Sequence, residues 1–383
     1  MALTLWAGQW MYGSVQRRLR LPSLTWRARE LEGELSSVAF CHGRFLGQLA
    51  GIGFDLQNQA GLETLSDEIV SSAAIEGETL NRADVRSSVA RRMEIVLSEG
   101  PGTTSHMLDA RTEMMMDATR GWDRPMTKKR LLAWHAALFP TGYSGLSPIR
   151  VAAFRDESAG PMQVVSRRGS LLRVHFEAPP ADCLRTEMAS FLKELNADSG
   201  EPLLVRVALA HLRFLTIHPF EDGNGRLART LTEWMLARGE RSARRFYSLS
   251  AQIQREKDAY YAELEHAQRN SLDVTRWIAW FVQCHRRAIE SAQVRLESIL
   301  AKARFWQVRG AVEFNARQRE MLNRLLDGFE GNLTSSKWAK ICKVSQDTAS
   351  REIAELVSHG ILKQEGSGRS THYVIVPETG TAK

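Results

Sequence analysis

The sequence predicts a mostly helical, multidomain protein with one β-hairpin and a C-terminal winged helix-turn-helix, and three observations carry that expectation. Nine of the eleven prolines fall between Pro22 and Pro202, and none separates Pro219 from Pro377, so the second half can sustain long helices. Apolar residues there recur at helical spacing, broken by one glycine-rich loop. The length of 383 residues, at roughly 150 per domain, points to two or three domains. Hydrophobic residues at 43% and charged residues at 25% are ordinary globular values, which exclude a wholly disordered chain, a collagen-like chain and a disulfide scaffold.

Taken in chain order, the first clear element is a hairpin. Met162-Gln-Val-Val-Ser and Leu171-Leu-Arg-Val-His-Phe are β-prone runs either side of Arg167-Arg168-Gly169-Ser170, bounded by Pro161, Pro179 and Pro180. From Leu203 to Leu215, apolar residues at Leu204, Val207, Ala208, Leu212 and Leu215, with few polar positions, predict a nearly surrounded central helix that stops at His218-Pro219. Gly223 and Gly225 break the pattern before Leu227, Leu231, Trp234 and Met235 resume it. Between Asp258 and Val308, Tyr261, Leu264, Trp277, Trp280, Phe281, Ile289, Val294 and Ile299 suggest further helices of the same bundle.

Beyond Ala311 the pattern changes. Met321 to Leu326 reads as a first helix, Ser335 and Ser336 open a second that runs to Ile341, and Ser345 caps a third from Gln346 to Val357, closed at Gly360. Ile361 to Lys363 and Tyr373 to Val376 then flank Gly366-Ser-Gly as a two-stranded wing.

Cys41, Cys183, Cys284 and Cys342 lie far apart with no C-x-x-C pair, so neither a zinc site nor a redox dithiol is indicated. The N-terminus lacks a basic stretch leading into an apolar one, and no run approaches 18 uncharged apolar residues. A cytoplasmic protein without membrane partners is expected. The net charge of +7 suits anionic partners but is modest for this length.

The chemistry concentrates in His218-Pro219-Phe220-Glu221-Asp222-Gly223-Asn224-Gly225-Arg226-Leu227-Ala228-Arg229. Gly223-Asn224-Gly225 leads straight into a helix, so its backbone N–H groups can turn inward while the helix end adds partial positive charge, making a phosphate cradle. Arg226 and Arg229 are three apart on the first turn and share a face, offering forked donors to polyphosphate oxygens. Asp222 supplies a hard carboxylate suited to Mg²⁺. His218, ending the preceding helix, can take a proton from an attacking hydroxyl near neutral pH.

This run resembles the signature of the Fic family, H-P-F-x-D-G-N-G-R-x-x-R, at all nine fixed positions. The resemblance implies a Fic-type helical bundle with the hairpin as its flap, and a protein adenylyltransferase: a Ser, Thr or Tyr hydroxyl of a target protein attacks the α-phosphate of ATP, receives AMP and releases pyrophosphate. On the family pattern His218 is the base and Asp222 the ligand of Mg²⁺, or of Mn²⁺ in its place. Asn224 with Gly223 and Gly225 holds the α- and β-phosphates, Arg226 and Arg229 hold the β- and γ-phosphates, and Phe220 anchors the loop. Ser72-x-x-x-Glu76-Gly77 looks like the family's inhibitory helix motif, which implies that Glu76 pairs with Arg229 and takes the γ-phosphate position, so that ATP is misaligned. The same site could remove AMP, with Glu76 orienting water.

The resemblance extends less specifically to other segments. The flap implies alignment of a target strand, with Arg167, Arg168 and Arg173 facing acidic neighbours or simply forming a polar turn. Tyr260 and Tyr261 either border the adenine or pack the bundle. The N-terminal segment, with Trp6, Trp10 and Trp26 as core residues, resembles the helical domain that precedes many Fic cores. Expected boundaries are residues 1–110 for the N-terminal helical region with its inhibitory helix, 111–308 for the catalytic core and 309–383 for the winged helix. The target could include the protein itself, and the family brings a homodimer as an expectation without a residue to derive it.

Residues 335–376 could contact DNA, with Gln346, Thr348, Ser350 and Arg351 on the third helix of that segment and Arg369 on the wing. Six Lys/Arg against four Asp/Glu between Lys337 and Tyr373 is thin for a dedicated reader. Winged helices also dock proteins. The rival reading is therefore a DNA-binding transcriptional regulator whose Fic site senses nucleotide or is silent.

Overall fold

The computed structural model describes residues 23–97, 105–156, 158, 160–168, 171–269, 272–310, 312–326, 328–329 and 331–376. Trp6, Trp10, Gly169 and Ser170 lie outside these residues, as do the side chains of Arg167, Arg168 and Arg369. The chain is mostly helical and divides into two units, Met1–Ala292 and Gln293–Lys383.

The first unit begins with α1 (Ala28–Ala50), α2 (Phe54–Ile75), α3 (Arg82–Arg92), α4 (His106–Arg120) and α5 (Lys128–Leu138). A short ribbon, β1 (Tyr143–Ser144) with β2 (Ser147–Pro148), and a hairpin, β3 (Gln163–Arg168) with β4 (Leu171–Glu177), follow. Then come α6 (Leu184–Asn196), α7 (Leu203–Ile217), α8 (Asn224–Glu240), α9 (Leu249–Arg255), α10 (Lys257–Arg269) and α11 (Thr275–Val308), the last of which runs across the division between the units. Trp26 is half-buried, while Leu264, Trp277, Phe281 and Ile289 line the core as expected. Tyr261 and Val294, by contrast, are exposed.

The central pair is α7 and α8, which pack on each other. Pro202 opens α7 with its fixed φ, and the helix ends where His218 turns left-handed at φ 49°, ψ 60° ahead of Pro219. Gly223, at φ 83°, restarts the chain as the N-cap of α8, and a Cβ there would come within 2.8 Å of the Phe139 ring. From Leu227 to Ala237 nearly every side chain of α8 is buried, so this helix is gripped from all sides. α2 packs against α9, α3, α4 and α8, with Leu62, Leu65 and Ile69 meeting Val85, Val89 and Met115.

The hairpin is antiparallel with a slip between Val164 and Val165, and it is tied to α10. Glu265 accepts from Arg173 and pairs with His175, each at 2.8 Å, and Arg269 donates to the Val174 and His175 carbonyls. Arg173 thus holds the flap to its own scaffold.

The second unit contains the end of α11, then α12 (Ala316–Leu326), α13 (Ser335–Cys342), α14 (Gln346–Ser358) and an antiparallel pair, β5 (Leu362–Glu365) and β6 (His372–Ile375). Thr334 caps α13 and Ser345 caps α14 through their hydroxyls, and Gly360 takes φ 66° after α14. Phe305, Met321, Leu322, Trp338, Ile353 and Leu356 form its core. Glu352 of α14 points inward, accepting from Trp338 Nε1 at 2.9 Å and from Arg317. Gln346 donates to Ser335 and Ser336 at 3.0 and 3.1 Å, which ties the start of α14 to α13, while Ser350 and Arg351 stay exposed.

The four cysteines are free thiols. Among the described residues no helix is long and apolar enough to cross a membrane.

Candidate functional site

The site is built where the end of α7 meets the start of α8. His218 Nδ1 lies 3.2 Å from the Leu215 carbonyl, which assigns the proton to Nδ1 and leaves the Nε2 lone pair free. Burial pushes the His218 ring down to about 4, against the pull of Glu76 and Asp222, so the ring is neutral at pH 7. Its left-handed backbone is held by Arg155, whose Nε donates to the His218 carbonyl at 2.8 Å and whose backbone N–H donates to the Pro219 carbonyl at 2.9 Å.

The loop between the helices is pinned by Phe220 and Asn224. Phe220 is fully buried and stacks on His135 with ring centroids 4.1 Å apart. The Asn224 amide is spent on the same residue: Oδ1 accepts from Phe220 N at 3.0 Å and Nδ2 donates to Phe220 O at 2.8 Å. This redirects the expectation for Asn224, because its side chain braces the loop and only its backbone N–H remains for a ligand. His135 adds a second brace, with Nε2 3.2 Å from the Asp222 carbonyl and Nδ1 accepting from Ala152 N.

Asp222 stands at the mouth with its side chain 41% exposed. Its carboxylate accepts from the Ser144 hydroxyl, from Gly223 N at 2.5 Å and from Arg226 at 3.4 Å. Among the described residues no group of three or more His, Cys, Asp or Glu side chains forms a metal cage. Asp222 would supply one hard carboxylate to a Mg²⁺ ion at this place.

The two arginines are already occupied, by carboxylates from the end of α2 and the turn after it. Arg229 is 2% exposed; its Nε donates to Ser72 Oγ at 3.0 Å, and one terminal nitrogen donates to Ser72 O and Glu76 Oε1, each at 2.8 Å. Burial works against its charge, yet Glu76 together with Tyr260 and Tyr261 outweighs it and raises the guanidinium. The other terminal nitrogen of Arg229 is buried without a hydrogen-bond partner, the kind of orphaned donor that an anion would satisfy. Glu76 itself caps α2, and Gly77 follows at φ 81°, which explains a glycine at this place: it is the left-handed position after a helix end. A Cβ on Gly225 would lie 2.1 Å from Glu76 Oε1, so the missing side chain at Gly225 makes the seat in which this carboxylate rests.

α2 is fixed in register two turns earlier. Buried Glu68 accepts from Ser248 Oγ at 2.6 Å, from Ser250 N at 3.0 Å and from the Ser250 hydroxyl, capping the start of α9. Glu68, Ser72 and Glu76 are spaced four apart and lie along one face of α2, so the contact with α9 sets the reach of Glu76.

The two neighbouring tyrosines differ in their surroundings. Tyr260 is 1% exposed, hydrogen-bonded to His211 Nε2 at 2.9 Å and packed on Trp277 and Trp280, so it belongs to the bundle. Tyr261 is exposed, with its hydroxyl 3.4 Å from the Ile75 carbonyl, and borders the end of α2. Ser144, Arg155, Arg111 and Glu78 were missed, since each acts through a partner distant in sequence and carries no local pattern. Glu78 sits between Arg111 and Arg226.

Comparison with known proteins gives two matches to families: residues 15–95 to a domain of unknown function (DUF4172) and residues 125–236 to the Fic/DOC family. The chain is 25% identical over 237 residues to protein adenylyltransferase Fic of Drosophila melanogaster, covering 61% of this chain and 43% of that protein. The Culex quinquefasciatus protein of the same name is 26% identical over 239 residues, with coverages of 61% and 42%. The chain thus spans less than half the length of the curated relatives it matches. In fold it is similar to a Fic domain-containing signaling protein from Bacteroides thetaiotaomicron, with a TM-score of 0.51 at 19% identity, covering 68% of this chain and 97% of that one.

Proposed function

From the match of residues 125–236 to the Fic/DOC family, we propose that the protein transfers AMP from ATP to a Ser, Thr or Tyr hydroxyl of a target protein. The observation that carries the reading is His218: a neutral ring, its Nδ1 proton committed to Leu215 and its Nε2 free to accept. The target hydroxyl oxygen forms a bond to the α-phosphorus, the bond from that phosphorus to the oxygen bridging to the β-phosphate breaks, and pyrophosphate leaves with the electron pair. The hydroxyl proton goes to His218 Nε2. Backbone N–H groups at the start of α8 cradle the α- and β-phosphates, and Arg226 and Arg229 hold the outer ones. Mg²⁺ on Asp222, when bound, neutralises phosphate charge.

Glu76 restrains this reaction in the same reading. Its carboxylate on Arg229 stands where a γ-phosphate would bind, so ATP that enters cannot seat its α-phosphate in line with the acceptor. We take the cytoplasm as the place of action, in keeping with four free thiols.

Label transfer from α-³²P-ATP with Mg²⁺ tests the reading, with γ-labelled ATP as control and a cell lysate as target source. Glu76→Gly is expected to raise α-label on protein about tenfold or more, and adding His218→Ala to lower it by about 10²–10⁴-fold, the usual weight of a general base. Label from the γ position, or none in any variant, would overturn the proposal. The second outcome favours a regulator acting through the C-terminal unit, tested by gel shift with DNA upstream of its own gene.

A further inference from the structure

Gly77 turns the chain so that Glu76 and Glu78, two residues apart, reach two different arginines of α8. Glu78 Oε1 accepts from Arg111 at 2.5 Å and Oε2 accepts from Arg226 at 3.2 Å, so one carboxylate lies between two guanidiniums that are both largely buried. The other terminal nitrogen of Arg226 reaches Asp222, and its plane lies over the Phe139 ring at 4.9 Å. Arg226 is thereby enclosed. Beside it is a small pocket of about 20 Å³ lined by Arg111, Arg226, Ser72 and Thr230 among apolar side chains, enough for a water molecule. A phosphate oxygen that reaches Arg226 therefore meets Glu78 on one terminal nitrogen and Asp222 on the other.

Charge makes the contact matter separately from Glu76. Removing Glu76 uncovers Arg229 but leaves Arg226 neutralised by Glu78 and Asp222. Glu78 also compensates the mutual repulsion of Arg111 and Arg226, so Arg111 anchors it in place.

We infer that Glu78 is a second, separable brake: a carboxylate held by Arg111 that stands on Arg226 in the place of a polyphosphate oxygen. The inference rests on the reading of this site as an ATP cradle restrained by Glu76. Because Glu78 competes with phosphate and is remote from the proton transfer, its removal acts on nucleotide affinity and KM, with kcat at saturating ATP unchanged.

The test compares the full chain carrying Glu76→Gly, Glu76→Gly/Glu78→Gln and Glu76→Gly/Glu78→Gln/Arg111→Gln. Calorimetric titration with inorganic tripolyphosphate and with Mg²⁺–ATP is run beside α-label transfer, and thermal melting checks the fold. Adding Glu78→Gln is expected to tighten tripolyphosphate about tenfold and to lower the KM for ATP by a similar factor. Equal affinity and equal KM in Glu76→Gly and Glu76→Gly/Glu78→Gln, with both cooperatively folded, would overturn it. Should Glu78→Gln fail to fold because it strands Arg111, the variant that also carries Arg111→Gln removes both charges and decides by the same gain or its absence. Tighter tripolyphosphate without AMP transfer in any variant would sink the adenylylation reading and leave this inference standing. Transfer that Glu78→Gln does not sharpen would sink this inference alone.

Discussion

Two arginine–glutamate pairs of nearly equal length sit on or beside α8, and they differ in the exposure of the acid. Glu76 meets Arg229 at 2.8 Å with side chains 33% and 2% exposed, whereas Glu233 meets Arg245 at 2.9 Å with both at 2%. Around the second pair Glu240 also binds Arg245, Tyr247 donates to Glu240, and His42 and His285 pack on the Tyr247 ring. Burial pushes the Glu233 carboxyl up to about 8 although Arg245 opposes it. A dry carboxyl group has no competitor, while a half-wet carboxylate beside a buried arginine can be traded for an arriving anion at little cost in solvation. Pair distance alone would not separate the fastener from the gate.

The largest expected effect that could break this comparison is on activity. Glu76→Gly should raise AMP transfer about tenfold or more, an effect of roughly 1.4 kcal/mol, whereas Glu233→Gln should leave it unchanged in the same label assay. A matching rise in Glu233→Gln would mean that the core pair gates the site too. Next comes stability. Glu233→Ala leaves the Arg245 Nε without its acceptor while Glu240 still balances the charge, and should cost about 1–3 kcal/mol in urea unfolding, more than Glu76→Gln does.

The pH dependence sharpens the contrast further. Between about 4.5 and 8 the Glu233 carboxyl loses its proton in the unfolded chain and keeps it in the folded one, so its contribution to stability falls as pH rises through that window. Glu233→Gln should accordingly gain melting temperature relative to wild type from pH 5 to pH 8, and a constant difference would refute the raised value. At the site, His218 at about 4 predicts a kcat/KM that is level from pH 7 to 5 and falls near pH 4. Glu76 favours the charged ring, so Glu76→Gly should move that acid limb lower. The smallest effect is on register: Glu68→Gln loosens α2 from α9 and should raise transfer about two- to fivefold, under 1 kcal/mol of coupling.

Much of this was legible from residue order because the relevant signals are local. Pro202, the apolar run to Leu215, and the stop at His218-Pro219 delimit α7, and Gly223-Asn224-Gly225 announces the start of α8. The pairing of Glu76 with Arg229 followed from two motifs read together. What stayed hidden depends on which faces meet. Nothing around Ser144 marks it as a donor to Asp222, and Arg155 looks like any surface arginine until α7 ends against it. The family pattern sets Asn224 among the phosphate-holding residues, but the fully buried Phe220 carries backbone groups that the Asn224 amide satisfies. Tyr260 has the spacing of a helix and no mark of its side, and His211 claims its hydroxyl.

The contact between Glu76 and Arg229 joins residues 153 positions apart, and the carboxylate is the earlier one. During synthesis at about 5–20 residues per second, roughly 8–30 s pass between the two. α2 can therefore be waiting when α8 emerges from the ribosome. The contacts of Glu68 with Ser248 and Ser250 that set the reach of Glu76 come later still, so the acid precedes its arginine in the chain and its register is locked last.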